Sequence, residues 1–156
     1  MKPSPSPLSI IDVTVLNFEY SFIFPKEEID FKQNFEKYDL DIDFSLRSNG
    51  FLEVFMRSEI NRGEVKLPGY SIYAEIVCIF EINKDIKISE EEKNNLEGFS
   101  TIYIALNNLR SIISNFTGSA PIGRYILPSI DLNNLIEQKK SLIGKGEKSS
   151  KIKKKK

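Results

Sequence analysis

The strictest pattern in the chain is an alternation of apolar and polar residues that runs into an Asn-Gly pair. Residues 38–47 read YDLDIDFSLR, in which every second residue is apolar and most of the others are Asp. A period of two places one set of side chains on each face of a β-strand. Asn49-Gly50 follows, and this pair is the strongest short signal for a hairpin. We therefore predict a strand with one wet face that turns into a second strand from Phe51 to Ile60.

Two further segments have strand-like patterns. Ile10 to Phe24 alternates, but the apolar parity switches near Val15-Leu16, which predicts a one-residue bulge. Pro25 ends this strand because proline cannot donate a hydrogen bond to the ladder. Tyr70 to Ile82 is apolar on both parities at its centre, which is typical of an interior strand or of a subunit contact.

The second half of the chain changes to helical spacing. Ser89 is suited to open a helical turn, and from Phe99 to Phe116 apolar residues recur every three or four positions. Their arc is wide enough to be covered both by the sheet and by a partner chain. Asp131 is placed to cap a short helix from Leu132 to about Lys140. Strands followed by helices predict an α+β fold, with a four-stranded antiparallel sheet, a long helix and a short C-terminal helix.

Charge is distributed unevenly along the chain. Residues 139–156 hold nine Lys and one Glu, a net charge of +8, so residues 1–138 carry −8 because the total is zero. We predict an extended Pro/Ser lead-in over 1–9, one folded domain over 10–140 and a disordered Lys-rich tail over 141–156. The tail lacks aromatic residues and Arg, which argues against specific nucleic-acid recognition. Nonspecific contact with RNA, DNA or an anionic membrane stays open.

Composition restricts the chemistry that the chain can perform. It has no His and a single Cys, which excludes an intrachain disulfide, a Cys/His zinc site and an imidazole-based triad. The Asp residues of the alternating strand lie about 7 Å apart along one face, without another evident ligand, which favours a wet face over a metal site. We expect no cofactor and no enzymatic activity. Without an apolar run of membrane-spanning or signal-peptide length, we expect a cytoplasmic protein with no membrane insertion.

Three segments of the second half resemble the SecB-like protein-export chaperones. IVCIFEI at 76–82 is similar to the family's Gly-Ile-Phe-x-Ile strand end. LRSIISNFTG at 109–118 resembles a helix in which an Arg precedes an apolar stretch that ends near a Gly. YILPSIDLNNL at 125–135 is similar to the Leu-Pro-Pro-Ile-Asn/Asp signature before the last helix, with Ser129 in place of the second Pro. The three occur in the family's order, and the likeness in element order extends over residues 10–140.

The resemblance implies an ATP-independent holdase. Members of the family form a tetramer, arranged as a dimer of dimers, and bind unfolded polypeptides in long apolar grooves. In the export branch the acidic face of the sheet docks the translocase motor SecA. A divergent branch instead protects an aggregation-prone antitoxin of a toxin–antitoxin module. Both partners stay open for this chain.

Three sets of residues are assigned roles on this basis. The apolar groove is predicted to contain Phe18, Tyr20, Phe22, Leu40, Ile42, Phe44, Ile126, Leu127 and Ile130. The acidic docking face is predicted to contain Glu19, Asp39, Asp41, Asp43, Glu75 and Glu81. The oligomer interface is predicted to contain Ile102, Tyr103, Leu106, Leu109, Arg110 and Ile113, with the Arg bonding carbonyl groups or a carboxylate. The alternatives are a place in the core for the apolar residues and a solvated sheet face for the acidic ones.

Overall fold

The computed structural model describes Lys2 and residues 4–153, with side chains up to Ile143. The elements in these residues are β1 (Leu8–Ile23), α1 (Phe31–Phe35), β2 (Leu40–Ser48), β3 (Leu52–Ile60), β4 (Gly69–Ile82), α2 (Glu90–Asn95), α3 (Thr101–Phe116) and α4 (Leu132–Lys153). A π-helical turn (Leu96–Ser100) joins α2 to α3, and a 3-10 turn (Thr117–Ser119) follows α3.

The four strands form one antiparallel sheet in the order β1-β4-β3-β2. This arrangement, with the helices that follow it, confirms the predicted α+β fold. β4 is an interior strand, which is one of the two placements predicted from its apolar centre. β2 and β3 form the predicted hairpin, with Ser48 opposite Leu52 and Gly50 at a φ of 85° in the turn. β1 and β2 are the edge strands.

β1 pairs with β4 along its whole length but changes register twice. One shift lies between Val15 and Asn17, which confirms the bulge predicted from the parity switch. Another follows Ile10 and was not predicted. Because each shift inserts one residue, Val15 and Phe18 face the same side of the sheet in spite of their odd spacing.

α3 packs across one face of the sheet, against β3 and β4. We call this side the helix face; no helix of the described residues covers the other side, which we call the open face. The helix face of β4 consists of fully buried residues, namely Tyr70, Ile72, Ala74, Ile76, Cys78 and Phe80. Each buried Ile, Leu or Phe of such a layer contributes about 1.5–3 kcal/mol, so this interface is the main source of stability.

Two short helices begin at side-chain caps. Ser89 Oγ accepts a hydrogen bond from the Glu92 N–H at 3.1 Å, which confirms the predicted helical turn. α2 then continues through the π-helical turn into α3, so the helical run begins before the predicted start at Phe99. α1 was not predicted, although Asp30 gives it a clear N-cap by accepting from the Lys32 N–H at 2.9 Å.

α4 begins at the predicted residue, Leu132, where the Asp131 carboxylate accepts a backbone hydrogen bond from the first turn at 3.1 Å. It continues to Lys153, so the end predicted near Lys140 is too early. The disorder predicted for the tail stays a prediction, and residues 154–156 lie outside the described part. No helix within that part is both long enough and apolar enough to span a membrane.

Candidate functional site

An incompletely covered apolar row runs along β1 on the helix face. α3 packs on β3 and β4 and leaves the edge strand largely open. Tyr20 is 46% exposed, and Phe24, just beyond the strand, is 79% exposed. The row, which we call the β1 stripe, consists of Ile10, Val13, Val15, Phe18, Tyr20, Phe22 and Phe24.

Aromatic contacts join the β1 stripe to the rest of the fold. Phe18 stacks on Phe116 of α3 with ring centroids 4.2 Å apart, and Phe116 is itself half-exposed. Tyr20 meets the ring of Tyr70 edge-on at 6.3 Å. Beside this row, no strand of the described residues pairs with one side of β1, so backbone groups are available there. An extended polypeptide segment can add to such an edge and place alternate side chains on the apolar row.

The predicted groove residues of the two edge strands lie far apart. The three aromatic residues of β1 belong to the β1 stripe, whereas Leu40, Ile42 and Phe44 lie on the helix face of β2, at the opposite edge. Leu40 and Ile42 are half-buried. Phe44 is buried opposite Met56 and has the Lys139 ammonium 5.9 Å above its ring, which makes it a core residue and corrects its assignment to the groove. One chain therefore has two separate apolar edges.

Arg110 fixes the connection between α3 and α4. Its guanidinium donates to the carbonyl oxygens of Leu127 and Pro128, each at 3.1 Å, as expected for a residue predicted to bond carbonyl groups. With the backbone held in this way, Ile126 is 68% exposed and Ile130 is half-buried. Leu127 is 1% exposed and fills the core, so it is not available to a ligand and its assignment to the groove is corrected.

An aromatic cluster that the sequence analysis missed anchors the start of the same connection. The Tyr70 hydroxyl donates to the Gly123 carbonyl at 2.7 Å and accepts from the Ile122 N–H at 3.2 Å. The Tyr125 ring stacks on Tyr38 at 5.9 Å. Burial raises the pKa of Tyr125 to about 12, so this phenol is neutral at any physiological pH. The cluster comes from three distant parts of the chain, and no local sequence pattern links them.

The open face carries most of the predicted acidic docking residues. Alternate positions of all four strands point to this side, and the acidic ones are Asp12, Glu19, Asp41, Asp43, Glu53, Glu59, Glu75 and Glu81. Five of the six predicted residues are among them. Asp39 is the exception, because its carboxylate accepts from the backbone N–H groups of Arg62 and Gly63 at 3.2 and 2.8 Å and closes the loop between β3 and β4. Asp39 therefore has a structural role, and because it is exposed its docking role stays a prediction.

Arginine residues partly neutralise the open face. Arg62 donates to Glu19 at 3.2 Å, and hydrogen bonds from Asn17 and then from Arg62 lower the pKa of Glu19. The Arg47 guanidinium lies 4.8 Å above the Phe55 ring, in a cation–π contact at the centre of the same face. The surface is thus a mixed one, acidic on balance, with an apolar centre that the sequence analysis assigned to no site.

Asp43 is the most strongly engaged carboxylate of the open face. Its Oδ1 lies 2.5 Å from Lys139 Nζ of α4 and accepts from the Phe44 N–H at 2.9 Å, while Oδ2 lies 3.9 Å from Arg57 Nε. Partial burial raises the pKa of Asp43, but the hydrogen bonds and the charges of Lys139 and Arg57 outweigh it and hold the pKa below its ordinary value. Asp43 therefore ties α4 to the edge of the sheet.

The predicted oligomer interface separates into two sides of α3. Its aliphatic members face the chain's own sheet and are at most 3% exposed, namely Ile102, Leu106, Leu109 and Ile113. They belong to the core, which corrects their assignment, because the sheet already covers them. Tyr103 and Arg110 stay on the solvent side, where Tyr103 stacks on Phe99 with ring centroids 6.5 Å apart. Phe99, Tyr103 and Phe116 are the exposed aromatic residues of this helical run.

The described residues contain no group of three or more side chains arranged to hold a metal ion. Cys78 is buried in the helix face of β4, and burial, with a smaller effect of the Asp12 charge, raises its pKa to about 11. A thiol with this pKa is almost entirely protonated at neutral pH and is a poor nucleophile.

Comparison with known proteins identifies the fold. No protein-family model and no curated protein matches the chain. Among solved structures, the SecB-like chaperone of Mycobacterium tuberculosis in complex with a peptide from the HigA1 antitoxin superposes with a TM-score of 0.51. The match covers 80% of this chain and 91% of that one at 14% identity. A protein of unknown function from Streptococcus agalactiae matches 78% of this chain and 97% of its own at 12% identity, with a TM-score of 0.44. The chain thus has the SecB-like fold that its sequence resemblance implies.

Proposed function

We propose that the protein is an ATP-independent chaperone that binds extended segments of non-native polypeptides along the β1 stripe. The observation that carries this proposal is an apolar row on an edge strand with one unpaired side, which α3 leaves open. Contiguous exposed apolar surface of this kind marks an interaction site. An extended segment gains backbone hydrogen bonds along the edge and apolar contacts from alternate side chains. Folded proteins expose few such segments, so binding selects the non-native state by mass action.

Such a function is not catalytic and needs no nucleophile, metal or cofactor. We infer a cytoplasmic location, where newly made chains are exposed before they fold. We also infer a homotetramer built as a dimer of dimers, in which Phe99 and Tyr103 on the solvent side of α3 contribute to the contact between chains. Aromatic residues are enriched at such contacts.

Two partners are candidates for the exchange of clients with this protein: the SecA motor, which would receive them, and an antitoxin, which would itself be the client. Delivery to the export translocase is supported by the acidic balance of the open face, which suits a partner surface of opposite charge. A dedicated antitoxin chaperone is supported by the structural neighbour, which is a SecB-like chaperone solved with an antitoxin peptide. Purified SecA and a peptide from the antitoxin encoded beside this gene, if one is present, discriminate the two by direct binding measurements.

The proposed activity is tested by suppression of aggregation. The full chain, at stoichiometric amounts, is expected to delay aggregation of a chemically unfolded, slow-folding model protein. Tyr20→Glu places a charge on the β1 stripe and is expected to weaken suppression several-fold. Phe51→Glu is the matched control, because Phe51 is an aromatic residue of similar exposure, 48% against 46%, at the hairpin beside the other edge. Equal suppression by the two variants would remove the β1 stripe from the proposal, and no suppression by the wild type would remove the proposal itself.

A further inference from the structure

The free side of β2 is occupied by α4, in contrast to the open side of β1. β2 is the other edge strand, and an edge with available backbone groups is a template for a further strand. The Phe44 N–H is not left to solvent, because it donates a hydrogen bond to the Asp43 carboxylate at 2.9 Å. The same carboxylate contacts α4 through Lys139 at 2.5 Å.

α4 is held beside β2 by a small number of contacts. Leu132 at its start is buried, and Leu135 and Ile136 on the next turn are half-buried. One turn later, the Lys139 ammonium pairs with Asp43 on the open face and lies over the Phe44 ring on the helix face. Since Lys139 reaches residues of both faces, this part of α4 lies along the edge of the sheet. Leu142, further along the helix, is exposed.

The contact between α4 and β2 is not close-packed. Two crevices of about 210 Å³ each separate them. The first lies between Ile42, Phe44 and Lys139, and the second between Leu40, Ile130 and Leu135. Both crevices are open to solvent, so this part of α4 is held mainly by Leu135 and Ile136, which pack on the core, and by Lys139. Its release would expose these two half-buried aliphatic side chains and leave the fully buried residues in place.

We propose that residues 135–143 of α4 form a latch over β2, closed by the Lys139–Asp43 pair, and that an extended client segment displaces this latch to reach the half-buried Leu40 and Ile42 and the free edge of β2. The inference rests on the proposed function, since the displacing segment belongs to the same class of client. The two side chains are 25% and 39% exposed, so added salt weakens the pair that closes the latch. Leu132 and its Asp131 cap remain in place as the pivot.

The decisive variant is Lys139→Glu in the full chain, which places a carboxylate against Asp43. Lys140→Glu is the matched control, because it makes the same charge change at the next, exposed position of α4. The probe is a dye-labelled model protein that has been reduced and alkylated so that it cannot refold, followed by fluorescence anisotropy. Lys139→Glu is expected to lower the apparent Kd by about three- to tenfold relative to Lys140→Glu. Adding Asp43→Lys to Lys139→Glu restores an ion pair of reversed sign and is expected to return the Kd only part of the way to the wild-type value, because Asp43 also accepts from the Phe44 N–H and faces Arg57.

Hydrogen exchange without client provides the second readout. If α4 acts as a latch, Lys139→Glu is expected to speed exchange of the backbone amides of residues 40–46, and Lys140→Glu is expected to leave it unchanged. Equal exchange rates and equal Kd values for Lys139→Glu and Lys140→Glu would overturn the latch. Client binding by the wild type would still support the proposed function in that case. Absence of client binding by the wild type and every variant would overturn the proposed function, and the exchange rates would then still decide whether Lys139 holds α4 closed.

Discussion

Arg110 offers the sharpest test of how the connection between α3 and α4 is positioned. Its guanidinium donates to the carbonyl oxygens of Leu127 and Pro128 and to the Asn107 side chain at 2.7 Å. Arg110→Ala removes all three hydrogen bonds and leaves the Leu127 carbonyl without its partner beside the core. Arg110→Lys keeps the charge but loses the planar fork that reaches two carbonyl groups at once.

The expected cost follows from these contacts. A typical intramolecular hydrogen bond contributes about 0.5–1.5 kcal/mol net, and the contact with Pro128 is exposed and contributes least. Arg110→Ala is therefore expected to lower the free energy of unfolding by about 1–2 kcal/mol. For a chain of this size that corresponds to a fall in Tm of about 2–8 °C at equal protein concentration. Arg110→Lys is expected to lose more than half of this amount.

Urea unfolding and hydrogen exchange measure the two consequences separately. Arg124→Ala is the control, since it removes an exposed Arg from the same connection. Arg110→Ala is expected to shift the urea midpoint and to speed exchange of residues 122–130, while Arg124→Ala changes neither. An unchanged midpoint together with unchanged exchange in Arg110→Ala would refute the view that this residue holds the connection in place.

Three further predictions concern single positions. Gly69→Ala is expected to lower the free energy of unfolding by about 3 kcal/mol or more, because Gly69 has a φ of 108° and an added Cβ would overlap the Tyr38 hydroxyl. Gly50 has a φ of 85° but open space around it, so Gly50→Ala is expected to lower this free energy by only about 1–2 kcal/mol. Urea unfolding of the two variants measures the difference. Folding lowers the pKa of Asp43 below its ordinary value of 3.8. The Asp43 carboxylate therefore stabilises the fold above pH 3.8, and this stabilisation is lost as the pH falls through the pKa of the folded state. Asp43→Asn is expected to reduce the difference between the urea midpoints at about pH 7 and about pH 3. Cys78, buried and with its pKa raised to about 11, should react with a thiol reagent at neutral pH only as fast as the chain unfolds, and immediate labelling of the native protein would contradict its placement.

The strands were predictable because their signals are local. Strict alternation over residues 38–47 and the Asn49-Gly50 pair specify the β2–β3 hairpin without any information from the rest of the chain. The parity switch at Val15-Leu16 likewise specifies a bulge. The caps at Ser89 and Asp131 are single side chains that act within one helical turn, so they too can be read from the sequence.

The surfaces were less predictable because exposure depends on packing partners that periodicity does not identify. Tyr20 and Phe44 both sit in alternating strands, yet only Phe44 is covered, by residues of β3 and by Lys139. Ile126 and Leu127 are neighbours in one signature, yet Ile126 faces solvent and Leu127, whose carbonyl oxygen accepts from Arg110, fills the core. A wide apolar arc predicts that a helix is covered, but it does not say how much of the cover comes from its own chain.

The most direct test of the proposed function is a hydrogen-exchange map of the full chain with and without a permanently unfolded client. Binding along the β1 stripe predicts that protection on client addition is concentrated in residues 8–24, with a smaller increase over residues 40–46 if client displaces α4. Residues of β4, already protected inside the sheet, are expected to change little. Protection confined to regions outside residues 8–24, or no protection at client concentrations that saturate aggregation suppression, would contradict the assignment of the β1 stripe as the binding surface.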